Sequence, residues 1–192
     1  MKVKFLLFAL LTFVAINLTA QHKFQPFEPL IGKWKGTGSG SSNNTSAIES
    51  SFQFTFNQQY IEVKNQAVFE PTDKYPQGEV HQDWGLISFD KQRKVYVFRQ
   101  FHVEGFVNQY TLNQEVSTPK KLVFETETIE NFVPGGKARW TILINSENVI
   151  ETIFDLQMPG KEYVNYGKNK LERINYIFKF IIFKWAVIFG AW

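Results

Sequence analysis

The chain has 192 residues, 44% of them hydrophobic and 20% charged, which is a globular composition at single-domain length. Its net charge of +3 comes from interspersed residues of both signs, with no lysine- and arginine-rich block of the kind that grips nucleic acid. Cysteine is absent, which excludes disulfides, thiolate metal sites and a cysteine nucleophile.

The first segment, MKVKFLLFALLTFVAINLTAQ, begins with Lys2 and Lys4 and continues as an apolar run from Phe5 to Leu18. Thr19 and Ala20 precede Gln21. A basic start, an apolar middle and a small residue at the end predict a secretory signal peptide over 1–20, and so an exported protein, periplasmic or secreted. The apolar run is short for a membrane span. Leu18 is not small at the minus-three position, so the cut point stays open.

Residues 21–174 then read as one β domain. Phe27 to Ile31 suggests a short helical turn. Leu30 to Gly40, LIGKWKGTGSG, is the first strand, with Trp34 on one face and Gly36, Gly38 and Gly40 recurring every second residue. Glycine on one face permits a sharp bend at a barrel corner, or room for a ligand. Ser39 to Ser46, SGSSNNTS, reads as a polar loop. Ser51 to Phe56 alternates strictly and aligns Phe52, Phe54 and Phe56 on one face. Further strands are predicted over Tyr60 to Phe69, Glu79 to Phe89, Lys94 to Val103, Gly105 to Leu112, Lys121 to Ile129, Ala138 to Ile144, Val149 to Leu156 and Glu162 to Ile174. Turn signals such as Thr118-Pro119, Pro134-Gly135-Gly136 and Pro159-Gly160 separate them. About ten short strands at regular spacing predict an all-β antiparallel barrel or sandwich.

Three segments carry a family resemblance. Leu30 to Gly40 resembles the first strand of the nitrobindin-like, haem-binding β-barrel domains, calycin-like relatives of fatty-acid-binding proteins. His81-Gln82-Asp83-Trp84-Gly85-Leu86-Ile87 resembles that family's histidine, acidic residue and glycine segment, and Leu171-Glu172-Arg173 its closing strand. The resemblance implies a ten-stranded antiparallel barrel of calycin type with one apolar cavity, and in characterised members a ferric haem held by histidine. That histidine lies shortly before the closing leucine and basic residue. Counting back here reaches Tyr166, and no histidine follows His102. Tyrosine can ligate ferric haem, so Tyr166 or Tyr163 is the candidate replacement.

The expected ligand is small and apolar, haem or lipid-like, within a cavity lined by Trp34, Phe52, Phe54, Phe56, Trp84, Tyr110, Trp140 and Tyr166. Two rival readings are a haem-dependent enzyme acting on reactive nitrogen species, and a filled barrel serving as an envelope interaction module. On Lys94 to Val103, alternation puts Tyr96, Phe98, Gln100 and His102 on one face and Arg99 with the valines on the other, and either face suits the interior. Glu125 and Glu127 near Arg139 suggest a cross-strand ion pair more than acid–base chemistry. No Ser-His-Asp pattern, phosphate loop or metal-spacing motif appears, and no catalytic residue is assigned. The tail over 175–192, NYIFKFIIFKWAVIFGAW, has neither a clean apolar span nor a clean amphipathic face, and membrane contact is one of its readings.

Overall fold

The computed structural model describes residues 23–40, 45–73 and 75–175. The leader expected over 1–20 and the tail beyond Asn175 lie outside the described residues. Among the described residues no helix is long and apolar enough to cross a membrane.

Ten antiparallel strands close into a barrel: β1 (Gly32–Gly40), β2 (Thr45–Thr55), β3 (Tyr60–Phe69), β4 (Glu79–Asp90), β5 (Val95–His102), β6 (Val107–Leu112), β7 (Lys121–Glu130), β8 (Lys137–Ser146), β9 (Val149–Gln157) and β10 (Tyr163–Arg173). Every strand pairs with its neighbours in sequence, and β1 closes the ring against β10, with Trp34 opposite Arg173 and Gly40 opposite Gly167. Closure removes the free edges that would template aggregation.

The glycines of β1 explain how the ring shuts. A Cβ on Gly36 would lie 1.9 Å from the Lys170 carbonyl oxygen, so only glycine allows β10 to approach there. A Cβ on Gly38 would strike the side-chain oxygen of Asn169 at 2.2 Å. Gly40 is different, because a Cβ there would make only ordinary contacts with Phe69. Close strand approach therefore accounts for Gly36, the side chains of Asn169, Ile48 and Ser46 fill the space beside Gly38, and Gly40 leaves free volume at the cavity rim.

A 3-10 helix (Gln25–Leu30), entered through Pro26, plugs one end of the barrel. Phe24, Phe27 and Leu30 are fully buried there, and each contributes roughly 1.5–3 kcal/mol of transfer free energy. The Phe27 ring meets Tyr96 edge-on at 4.8 Å and lies 6.0 Å from Phe124. Arg173 fastens the plug to the barrel. Its guanidinium donates to the carbonyls of Ile31, Pro29 and Glu147 at 2.6, 2.6 and 2.8 Å, and lies 4.2 Å from the centre of the Trp34 ring. The Trp34 indole N–H donates to the Leu30 carbonyl at 2.8 Å.

Two expectations about the aromatic residues are corrected. The phenylalanine alternation of β2 stops at Thr55. Phe56, Asn57 and Gln58 take positive φ values of 48°, 51° and 61° in the turn to β3, leaving Phe56 70% exposed against Tyr60. On β4 the inward phase belongs to Asp83, Gly85 and Ile87, so Trp84 stands on the outer face, 40% exposed, donating to the Glu62 carboxylate at 2.9 Å. A tryptophan between an acid and a glycine looks like the buried member of the set. Glycine fits the inward position at 85 because a Cβ there would meet the Arg99 carbonyl at 2.1 Å.

Candidate functional site

The interior divides into two halves. Next to the plug it is filled: Phe52, Phe98, Tyr110, Phe124 and Trp140 interlock, with Trp140 parallel to Phe52 (7° between planes) and 5.2 Å from Phe98. Towards the other end the side chains draw apart and enclose a cavity of about 480 Å³. On β5 the aromatic and histidine face is the inner one, and Arg99 points out, within 3.4 Å of the Ser88 hydroxyl.

The cavity has two unlike walls. β8 and β9 supply Trp140, Phe154 and Leu156, a mainly apolar surface interrupted by Thr152 of β9. β3, β4 and β5 supply Asn65, Asp83, Gln100 and His102. In a ten-stranded ring β4 stands five strands from β9, so the polar wall faces the apolar one. Ala67 and Phe69 of β3, Ile48 of β2 and Phe106 add apolar groups on the polar side, and Ser46 and Asn169 of β2 and β10 join the two walls. His81 sits at the rim between Glu104, to which it is hydrogen-bonded, and Glu79 at 3.9 Å. Neither lysine nor arginine is among the described residues that border the cavity.

Asp83 anchors the polar wall. Its Oδ1 accepts a hydrogen bond from the Asn65 amide at 2.7 Å, and Gln100 supplies a second side-chain donor. Burial pushes its pKa up to about 6, opposed by those two donors and reinforced by the neighbouring Glu104. His102, its cross-strand partner, moves the other way. Burial lowers its pKa to about 4, so the ring is neutral at pH 7. The imidazole stacks on Phe106 at 4.0 Å, and its Nε2 accepts from the Asn108 amide at 3.0 Å. Asn108 is fully buried and also donates to the Tyr110 hydroxyl at 2.8 Å. Its Oδ1 is the one buried side-chain oxygen or nitrogen without a partner among the described residues. It lies where the filled half meets the open one.

The eight aromatic residues singled out in the sequence thus scatter. Trp140 and Tyr166 border the cavity. Trp34, Phe52 and Tyr110 belong to the filled half, and Phe54 packs partly buried with its ring 6.2 Å from Phe24 of the plug. Phe56 and Trp84 are outside. Tyr166 is the extra residue of a β-bulge between Asn165 and Gly167, which turns it to the cavity rim with 40% exposure. The residues missed in the sequence are small polar ones, Ser46, Asn65, Thr152 and Asn169. Their only signal was polarity at the inward phase of an otherwise apolar alternation. Arg139 pairs with Asp155 at 2.9 Å on β9 and not with the glutamates of β7, while Glu127 binds Arg93 at 2.6 Å.

Among the described residues no three of His, Asp and Glu converge to hold a metal ion. Of the two tyrosines that could hold the ferric haem implied by the family resemblance, Tyr166 borders the cavity and Tyr163 does not, and the charge around the cavity is unfavourable to that group. Haem brings two carboxylates of its own, and the polar wall and rim present Glu79, Asp83 and Glu104 with no cation of the protein to receive them. Of the imidazoles, His102 is turned to Asn108 and His81 is held by Glu104.

The fold has solved counterparts. The chain is similar to Rv2717c from M. tuberculosis, with a TM-score of 0.55 and 14% identity over 80% of this chain and 98% of that one. Weaker likenesses reach a redesigned β barrel, mFAP0, bound to DFHBI (TM-score 0.42, 11% identity, 76% and 100% covered). They also reach the S-type phycobiliprotein lyase CPES from Guillardia theta (0.43, 10% identity, 78% and 91% covered). At these identities the likeness to Rv2717c shows the barrel fold and nothing of its chemistry. No family model matches the chain. No curated protein matches it.

Proposed function

We propose that this protein binds a small, largely apolar ligand in the open half of its barrel. The observation that carries the reading is the cavity itself: about 480 Å³, walled on one side by Trp140, Phe154 and Leu156, shut at its base by packed aromatic rings and open at the rim. A site of this size with one apolar wall and a few fixed polar groups is how proteins hold small molecules. The polar wall orients the ligand, and the apolar wall supplies the free energy of burial. The leader with Lys2, Lys4 and the run Phe5 to Leu18 supports placing the barrel outside the inner membrane, as an exported binder. The nitrobindin-like segments support a calycin-type ancestry for it.

The outer surface offers a second concavity, of about 640 Å³, floored by the Trp84–Phe101 pair. The test must separate the two. A neutral, environment-sensitive dye, dansyl hexylamide, is titrated into the full chain. Emission should rise saturably and blue-shift. Thr152→Trp, which places an indole in the cavity, should abolish the rise, while Phe101→Ser on the outer face leaves it unchanged. Loss with Phe101→Ser and retention with Thr152→Trp moves the site to the outside of the barrel. Folding of each variant is checked by circular dichroism.

A further inference from the structure

We infer that the ligand of this cavity carries a positively charged or strongly donating nitrogen group on one side of an apolar body, and that the cavity refuses anionic amphiphiles such as fatty acids. The inference rests on the proposed binding role and adds the ligand's chemical class. Three observations carry it.

The first is the sign of the charge. Asp83, Glu79 and Glu104 border the cavity, and no lysine or arginine does so among the described residues. The two imidazoles do not restore balance. His102 is neutral because burial holds it so, and a charged His81 would still leave the carboxylates in excess. In a confined space with low-dielectric walls, like charges repel strongly and opposite charges attract strongly. A ligand carboxylate placed at the polar wall would meet Asp83 with no cation of the protein to screen it.

The second is the unused capacity of Asp83. An ionised carboxylate offers about four acceptor positions. The Asn65 and Gln100 side chains take two of them and fix the group's orientation. The remaining lone pairs suit an ammonium or amide N–H.

The third is the placement of the walls. Asp83 on β4 faces the β8–β9 side, where Trp140 and Phe154 line the cavity. A molecule lying between them finds mainly aromatic and aliphatic contacts on one side and the Asp83 carboxylate on the other. An aryl or alkyl amine has that form, and aromatic faces add attraction for a cation close by.

The test compares three dyes with one fluorophore and nearly equal length at pH 7.5: dansylcadaverine (terminal ammonium), dansyl aminohexanoate (terminal carboxylate) and neutral dansyl hexylamide. The ammonium dye should bind the full chain at least tenfold more tightly than the carboxylate dye. Asp83→Asn should bring that ratio below about threefold without changing the affinity of the neutral dye. Glu172→Gln, on the outward face of β10, should leave the ratio alone. Equal binding of the ammonium and carboxylate dyes, or a ratio untouched by Asp83→Asn, overturns the charge selection while cavity binding stands. Failure of all three dyes, the neutral one included, overturns the binding role and the inference with it.

Discussion

The two halves of the barrel interior are built from the same alternating strands and have opposite characters. Next to the 3-10 plug, inward positions carry Phe52, Phe98, Tyr110 and Phe124, packed into one buried cluster. At the other end the same strands place Ser46, Asn65, Gln100 and Thr152 at inward positions, and a cavity opens. A polar side chain at a core position costs stability unless its hydrogen bonds are met. Here they mostly are, by one another: Asn65 with Asp83 and Asn169 with the Thr152 hydroxyl at 3.0 Å. The plugged half holds the fold together and the open half carries the polar groups that a packed core would exclude. Close packing and open polar volume are thus segregated along the barrel axis, and substitutions should sort by the half they touch.

The largest effect belongs to the plug. Phe27→Ala removes a fully buried ring wedged among Phe24, Tyr96 and Phe124, and should destabilise the protein by roughly 3–5 kcal/mol. Denaturant unfolding followed by tryptophan fluorescence measures it. A loss below 1 kcal/mol would mean the helix is not a structural plug. Arg173→Lys should come next, at about 2–3 kcal/mol, because an ammonium's donors radiate from one nitrogen and cannot span three carbonyls reached from three guanidinium nitrogens while stacking on Trp34. A Lys variant as stable as the parent would show that the plug is held by apolar burial alone.

The plugged half was legible in the sequence, and the open half was not. Trp34 among glycines, the inward Phe52 and Phe54, and the closing Leu171-Glu172-Arg173 are strong signals because apolar burial leaves a periodic record. Period 2 states that a strand has two faces, and large side chains announce which is inside. That rule fails where the inside is polar. On β4 the tryptophan is outside and Asp83 is inside, the reverse of what hydrophobicity suggests. On β5 both faces hold apolar groups, and only the register with β4, Asp83 opposite His102, fixes the aromatic face inward. Phe56 was misplaced for a different reason: the alternation extends one residue beyond the strand into a turn of three successive positive φ values. Non-glycine residues rarely adopt that conformation, so nothing in the composition signals it.

A smaller effect isolates the polar wall. Asp83 has a folded pKa of about 6 against an ordinary 3.8, so the folded state favours its neutral form. Its contribution to stability is present below pH 3.8 and is lost as pH rises through 6. His102 has a folded pKa of about 4 against 6.5, so its contribution is present above pH 6.5 and is lost as pH falls towards 4. Between pH 4 and 6 the two slopes oppose each other and nearly cancel. The titratable groups around the pair are Glu104, His81 and Glu79 at the rim and the buried Tyr110 hydroxyl behind it. Asp83→Asn should expose the histidine's slope, giving stability that rises with pH over that window. His102→Gln should expose the opposite slope. Each shift of about two units corresponds to roughly 3 kcal/mol when fully desolvated. Solvent reaching the open cavity screens part of it, leaving on the order of 1–2 kcal/mol. Unfolding free energies measured at pH 4, 5, 6 and 7.5 decide the matter, and parallel curves for both variants would remove the pair from the description of this wall.

The smallest expected effect falls on Tyr166, to which both the family resemblance and the cavity rim point. It stands on a bulge, partly exposed, and its removal from the hydrogen-bonding inventory should change stability by less than about 0.5 kcal/mol. Tyr166→Phe is informative through hemin. If the carboxylates of the polar wall and rim bar anionic ligands, hemin should give no saturable Soret band with the parent protein, and Tyr166→Phe should change nothing. A saturable band that shifts in Tyr166→Phe would place iron on the phenolate with the haem propionates seated despite Glu79, Asp83 and Glu104. The open half would then tolerate anions, and the sign of its charge would no longer define its ligand. The cavity would remain, and its selectivity would have to be sought in the apolar wall of Trp140, Phe154 and Leu156 instead.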